Sequence, residues 1–105
     1  IIERGLKKHQ TNLKSEIIKI YMEQSEELKK IGIQNIWLFG SVQKEEYNDL
    51  SDIALVIKVD NEESEGHCIE KIRNFNKKWF DRKSDIHIYD DFIEYNPNIT
   101  IEKLI

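Results

Sequence analysis

Hydrophobic and polar positions follow two different periods along the chain, and each change of period marks a predicted element. From residue 11 onward, apolar residues recur three or four positions apart, which predicts an amphipathic helix. Thr11 or Asn12 is suited to cap this helix, and Gly32 is suited to end it. Its apolar stripe comprises Leu13, Ile17, Ile20, Tyr21, Leu28 and Ile31. Residues 1–10, which are polar and basic, are predicted to form a loose lead-in.

Shorter segments with β-branched residues predict three strands. Residues 33–39 form an apolar and aromatic run that stops at Gly40, as a buried strand does. Residues 52–59 alternate strictly, which places Asp52, Ala54 and the other even-numbered positions on one face and the odd-numbered aliphatic residues on the other. Residues 85–89 alternate in the same way. The sequence therefore predicts strands that each present one apolar face to a core.

A second helix lies between the last two strands, where apolar residues from Cys68 to Phe80 recur at helical spacing after a predicted cap at Asn61. Pro97 interrupts the chain, and residues 99–105 fit either a final strand or a short helix. The order of elements predicts an α/β (α+β) fold in which helices pack on a small mixed sheet. The length predicts that residues 1–105 form a single domain.

Composition narrows the classes of function. With 39% hydrophobic residues the chain can form a core, and it has no run of about eighteen apolar residues that would span a membrane. Cys68 is the only cysteine, so we expect no intrachain disulfide and a reducing, cytoplasmic location. Twenty acidic against sixteen basic residues, with Arg only at Arg4, Arg73 and Arg82, argue against a general nucleic-acid binder.

The candidate chemistry lies where the strands begin or end. Gly40 and Ser41 follow the first strand, where backbone N–H groups can hold a phosphate, although an ordinary turn would look the same. Asp52 and Asp85 begin the two later strands and could converge on one Mg²⁺, which prefers oxygen ligands and often binds through carboxylates and substrate phosphates. Together these residues indicate phosphoryl or nucleotidyl transfer.

This arrangement resembles the minimal nucleotidyltransferases of the polymerase-β superfamily. Their pattern is Gly-Ser, about ten residues, Asp-x-Asp, and a third Asp on a later strand. Here Leu38–Ser41 is followed after ten residues by Asp52, and Ser84–Ile88 contains Asp85 where the third carboxylate belongs. The resemblance covers roughly residues 13–92. It implies a nucleotidyltransferase-like fold.

The resemblance also implies an activity and partners. It implies Mg²⁺-dependent transfer of a nucleotide, AMP from ATP, to a hydroxyl of a protein partner. Gly40, Ser41 and Lys44 would bind the nucleoside triphosphate, and Asp52 and Asp85 would be the catalytic and metal-binding residues. Small members act as antitoxins beside HEPN-type toxins, so the alternative is an inactive binding module that neutralises such a toxin by complex formation.

Two positions depart from the family pattern. Ala54 replaces the second Asp of Asp-x-Asp, and alanine cannot ligate a metal, so we expect weak or absent catalysis. Both a natural loss and an engineered Asp→Ala substitution would explain Ala54. Glu45 stands where the family often has Gly after a basic residue, which Lys44 matches loosely.

Other residues allow structural interpretations beside functional ones. His87 shares a strand face with Asp85 and is either an ordinary sheet histidine or a group that orients the carboxylate or binds metal. Asp90 and Asp91 are interpreted as the end of the strand, with a metal-binding role as the alternative. Four aromatic residues are predicted to lie in the core: Trp37, Phe75, Trp79 and Phe80. A basic cluster suits either a helix C-terminus or a phosphate or partner contact, and comprises Lys77, Lys78, Arg82 and Lys83.

Overall fold

A computed structural model describes residues 12–105, which form one four-stranded sheet with helices packed on it. The predicted lead-in and Thr11 lie outside the described residues. The elements in order are α1 (Leu13–Glu23), α2 (Ser25–Lys30), β1 (Ile33–Phe39), α3 (Gly40–Gln43), β2 (Ile53–Val59), a 3₁₀ turn (Glu62–Ser64), α4 (Glu65–Phe80), β3 (Ser84–Ile88), α5 (Tyr89–Tyr95) and β4 (Glu102–Lys103). Within this part of the chain, no helix has the length and apolarity needed to cross a bilayer.

The sheet is mixed, as predicted. Its strand order is β3-β2-β1-β4, with β1 antiparallel to both β2 and β4 and with β2 parallel to β3. The tail that fitted either a strand or a helix pairs with β1 as the short β4. The two central strands, β1 and β2, therefore pair with strands from the C-terminal part of the sequence, β4 and β3 respectively.

One face of the sheet carries the hydrophobic core. Three odd-numbered residues of β2 are fully buried there, Ile53, Leu55 and Ile57. They belong to one core cluster with Ile17 and Tyr21 of α1 and Ile72 of α4. This burial confirms the predicted two-residue period. The opposite face, which we call the second face, carries the side chains of Trp37, Phe39, Ala54, Val56, Asp85 and His87.

The first predicted helix is correct in its ends but not in its continuity. Asn12 caps α1, since its Oδ1 accepts a hydrogen bond from the Ser15 N–H at 3.1 Å. Gly32 follows the last turn with φ +105°, a conformation that favours glycine. At Gln24, however, the backbone leaves helical geometry with φ −100° and ψ 10°, so the segment is divided into α1 and α2.

The interpretation of Asp90 and Asp91 as the end of a strand is wrong. β3 ends at Ile88, and both aspartates lie in the first turn of α5, a helix that the sequence analysis missed. Acidic side chains in a first turn interact favourably with the helix dipole, which explains their position.

Two of the four aromatic residues predicted for the core lie elsewhere. Trp79, near the end of α4, is 42% exposed, and its ring centroid lies 6.1 Å from that of Phe75. Trp37 is only partly buried, because it belongs to the second face and stacks on Tyr89 with ring centroids 4.5 Å apart. Phe75 and Phe80 pack against the core as predicted.

A buried hydrogen-bond chain links α1, α4 and β3. The Tyr21 hydroxyl donates to Asn76 Oδ1 at 2.5 Å, and Asn76 Nδ2 donates to Ser84 Oγ at 2.7 Å. Tyr21 and Asn76 are both fully buried. Burial raises the pKa of the Tyr21 phenol well above its usual range, so the group stays a neutral donor. This hydrogen-bond chain holds Ser84, the first residue of β3, which precedes Asp85.

We predict that Tyr21→Phe lowers the free energy of unfolding by about 1–3 kcal/mol, because it leaves the buried Asn76 oxygen without a donor. Urea denaturation followed by circular dichroism measures this change. Tyr95→Phe is the control, since Tyr95 is 80% exposed, and should have little effect. Equal losses in both variants would contradict this role of the buried chain.

An ion pair joins the C-terminal strand to the first helix. Glu102 Oε1 lies 2.9 Å from Lys14 Nζ and accepts a second hydrogen bond from Gln43 Nε2 at 3.4 Å. The hydrogen bond from Lys14 lowers the pKa of Glu102, against the opposing effect of burial. A carboxyl whose pKa is lowered by folding stabilises the fold above its unfolded pKa, and this contribution is lost as the pH falls through its folded pKa.

We therefore predict that Glu102→Gln lowers stability at pH 7 by less than about 1 kcal/mol, since Glu102 is partly exposed. The difference from the parent should shrink as the pH falls below about 4. Urea denaturation at a series of pH values tests this, with Glu27→Gln on the exposed surface of α2 as the control. A stability difference that stays constant down to acid pH would be inconsistent with the ion pair.

Candidate functional site

The candidate site lies on the second face, where β1 ends and where β2 and β3 begin. In the sheet register Phe39 pairs with Ala54, and Ala54 pairs with Asp85. Asp52 lies two residues before Ala54 and is exposed, so alternation places it on the same face, diagonal to Asp85. The register thus places Asp52 and Asp85, the two aspartates that the sequence singled out, on one face of neighbouring strands, with Ala54 directly beside Asp85.

Gly40 turns the chain from β1 into α3 at a point close to Ala54. Its φ of +76° is a left-handed conformation, and a Cβ built on it would lie 3.3 Å from the Cβ of Ala54. This close approach brings the Gly40–Ser41 backbone next to the start of β2. The first N–H groups of α3 have no partner within the helix, as at any helix start. Ser41 is partly buried.

His87 contacts the Asp85 carboxylate, a contact that the sequence spacing had made possible but did not decide. Nε2 of His87 lies 3.1 Å from Oδ1 of Asp85, and both side chains are partly exposed. The imidazole packs beside the rings of Phe39 and Phe92, at centroid distances of 5.6 and 5.0 Å. These contacts hold His87 in place and limit the orientations of the carboxylate beside it.

Arg82 holds the loop that leads into Asp52, and the sequence analysis missed this role. Its Nη1 donates to the carbonyl oxygens of Asn48 and Ser51, both at 2.8 Å. The Ile53 N–H donates to the Lys83 carbonyl at 2.9 Å, which extends the pairing of β2 and β3 to this point. The basic cluster in the sequence was the available signal, but only the folded chain shows which carbonyl groups Arg82 reaches.

The loop after α3 keeps an unusual backbone. Glu45, at the position where the resembling family often has Gly, has φ +62°, a conformation that glycine adopts with least strain. Its Oε1 accepts a hydrogen bond from Asn12 Nδ2, so the carboxylate interacts with the start of α1. Lys44 is exposed at the end of α3. Its predicted contact with a nucleotide stays a prediction.

Helix α5 covers the rest of the second face. Phe92 is 7% exposed and packs on Phe39 with ring centroids 4.6 Å apart. Further along, Tyr89 stacks on Trp37, and Lys58 Nζ lies 5.7 Å from the centre of the Tyr89 ring. Access to the second face is therefore greatest at the end where Asp52 and Asp85 are exposed.

The donor set fits one Mg²⁺ better than two. Asp52 and Asp85 supply carboxylate oxygens, and Mg²⁺ is often held by one or two carboxylates together with substrate phosphates. Within residues 12–105, however, no group of three His, Cys, Asp or Glu side chains is placed to hold a metal ion. A pair of metal ions would need a bridging carboxylate, and at the position beside Asp85 the side chain is the methyl group of Ala54.

Comparison with known proteins identifies the family of the chain. A family model described as "Nucleotidyltransferase domain" matches residues 21–105, which include the whole sheet and every candidate site residue. Neither the curated proteins nor the solved structures compared with the chain gave a match.

We predict that Gly40→Ala destabilises the fold by about 1–2 kcal/mol or more, because a left-handed φ is costly for alanine and the new Cβ would crowd Ala54. Gly66→Ala in α4 is the matched control, since a Cβ there meets nothing within 4 Å. It should stabilise the helix by about 0.5–1 kcal/mol. Urea denaturation of the two variants measures both effects, and an equal change of the same sign would show that Gly40 is not required for the turn.

Proposed function

Because the chain belongs to the nucleotidyltransferase-domain family, we propose that it binds a nucleoside triphosphate with Mg²⁺ at the exposed end of the second face and transfers the nucleotide slowly to an acceptor hydroxyl. The observation that most supports this proposal is the register in which Phe39, Ala54 and Asp85 lie side by side. The Gly40–Ser41 turn lies close to Ala54, on the face to which Asp52 and Asp85 also belong.

Each candidate residue has a role in this proposal. The backbone of Gly40 and Ser41 binds the triphosphate, and Lys44 contributes a positive charge from the end of α3. Asp52 and Asp85 hold the cation jointly with the phosphates. A bound Mg²⁺ would supply charge neutralisation and activation of the acceptor hydroxyl. His87 positions Asp85 through their 3.1 Å contact.

Ala54 is proposed as the cause of slow transfer. Its Cβ lies beside Asp85 in the register and on the same face as Asp52, where a carboxylate would reach toward both. Loss of partners that merely orient metal ligands already costs about 10–100-fold in activity or affinity. The absence of a carboxylate ligand at position 54 is expected to lower activity or metal affinity by at least the same factor.

The acceptor and the nucleotide rest on the resemblance to the minimal nucleotidyltransferases. On that basis we propose ATP as the donor, AMP as the group transferred and a hydroxyl of a protein partner as the acceptor. The partner proposed on the same basis is a HEPN-type toxin.

A second candidate function is binding without catalysis, in which the domain neutralises such a toxin by covering its surface. It is favoured by the lack of any three-residue metal group within residues 12–105. Trp79 adds to this support, because it is 42% exposed beside Leu28, Ile31 and Phe75 in a groove between α2 and α4.

We predict that Ala54→Asp raises AMP transfer from labelled ATP to a co-expressed partner by about 100-fold or more, since it restores a direct ligand. Calorimetric titration of ATP and Mg²⁺ should show tighter binding to the variant than to the parent. Ala54→Asn is the matched control, because it has nearly the same shape but no charge. It should leave transfer at the level of the parent.

Asp52→Asn in the Ala54→Asp background should abolish the gain, because it removes the neighbouring carboxylate. If Ala54→Asp binds no ATP with Mg²⁺ and transfers no label, the enzymatic proposal fails. If the parent and all variants then bind the partner equally without nucleotide, the second candidate function is supported instead.

A further inference from the structure

We propose that a cleft on the opposite side of the β3 start binds the phosphate group of a phosphate-bearing ligand. This basic cleft has a volume of about 420 Å³ and lies between α4 and the first residue of β3. Its lining residues are Glu70, Arg73, Asn74, Lys77, Arg82, Lys83 and Ser84. Neither the family match nor the proposed nucleotide site accounts for it.

The basic cleft is positively charged, whereas the protein as a whole is negatively charged. The whole protein has a formal net charge of −4, yet the cleft is lined by four cationic side chains and one carboxylate. Two of the three arginines in the sequence, Arg73 and Arg82, line it. Arginine presents several N–H donors in a planar fork that fits phosphate oxygens. This local concentration favours an anionic ligand.

Internal contacts neutralise these cations only in part. Arg73 is 3.9 Å from Glu70 in an exposed pair, and Lys77 is paired with Asp81, which is also exposed. Exposed pairs of this kind are weak and can be exchanged for a stronger partner. Within residues 12–105, Lys83 makes no ion pair.

Neutral donors complete the basic cleft. Arg82 uses Nη1 for the two loop carbonyl groups, which leaves its other N–H groups for a ligand. Ser84 Oγ accepts a hydrogen bond from the buried Asn76, so the Ser84 hydroxyl hydrogen is left to donate. Both groups are held in place by these contacts, which reduces the entropy lost when a ligand binds.

A helix C-terminus explains only part of the cluster. Cations in a last turn interact favourably with the helix dipole, which accounts for Lys77 and Lys78. Arg73 lies about two turns before the end of α4, and Arg82 and Lys83 come after it. Lys78 lines a different groove. Three of the four cations of the basic cleft are therefore not explained by the dipole: Arg73, Arg82 and Lys83.

The basic cleft is distinct from the proposed nucleotide site, although both lie near the start of β2. Ser84 and its pairing partner Ile53 face the core side of the sheet, whereas Asp85 belongs to the second face. Three sources can supply the same chemistry: a free oligophosphate, the phosphates of a nucleotide, and the phosphodiesters of a single-stranded RNA. An experiment with one probe of each kind separates them.

The test is a titration of ¹⁵N-labelled protein, followed by NMR, with inorganic pyrophosphate, ATP and a short single-stranded RNA in turn. EDTA is present, so that no cation is held by Asp52 and Asp85. We expect saturable shifts centred on residues 73–84 for at least one probe. The probe that binds most tightly identifies the source of the phosphate.

The double variant Arg73→Gln/Lys83→Gln should weaken this binding about tenfold or more, because it removes two charged donors. Lys19→Gln/Lys29→Gln removes the same charge from exposed helix surfaces and should leave binding nearly unchanged. The proposal is overturned if no probe binds at millimolar concentration or if both double variants weaken binding equally. It is also overturned if the shifts centre on Gly40 and Ser41, a result that would instead support the proposed nucleotide site.

Discussion

The register of three strands is the constraint on which the rest of the structure depends. β1 runs antiparallel to β2, and β2 runs parallel to β3, so the end of one strand and the starts of the other two meet at one edge. The side-chain period of two then places Ala54 between Phe39 and Asp85. A slip of one residue would bury Asp85 in the core and expose Ile86. The apolar alternation that forms the core thus also places the carboxylates.

Two residues with a left-handed φ shape the backbone of the candidate site. Gly40 keeps a left-handed turn close against β2, and Glu45 keeps a left-handed φ without being glycine. Such conformations carry strain and persist where surrounding contacts hold them, as the contact between Glu45 and Asn12 does here. Ala54, which lies close to Gly40, is the position at which a side chain departs from the Asp-x-Asp pattern of the resembling family.

Side chains of opposite charge lie on the two sides of the sheet at the start of β3. The second face presents Asp52 and Asp85, which favour a cation, while the core side presents Arg82 and Lys83, which favour an anion. Arg82 links the two sides, since it binds the carbonyl groups of the loop that ends at Asp52. A ligand in the basic cleft would therefore contact a residue that also holds this loop in place.

The sequence by itself determined the elements whose signals are local. Capping chemistry indicated that a helical segment begins after Thr11 or Asn12 and ends at Gly32. The apolar run of β1 and the two-residue period of β2 indicated strands. The carboxylates Asp52 and Asp85 could be singled out because motif spacing is also local. Only the tertiary structure decided features that depend on distant partners: β4, the contacts of Arg82, and Trp37 on the second face, where it stacks on Tyr89. These depend on which segments pack together, and a period along the chain does not contain that information.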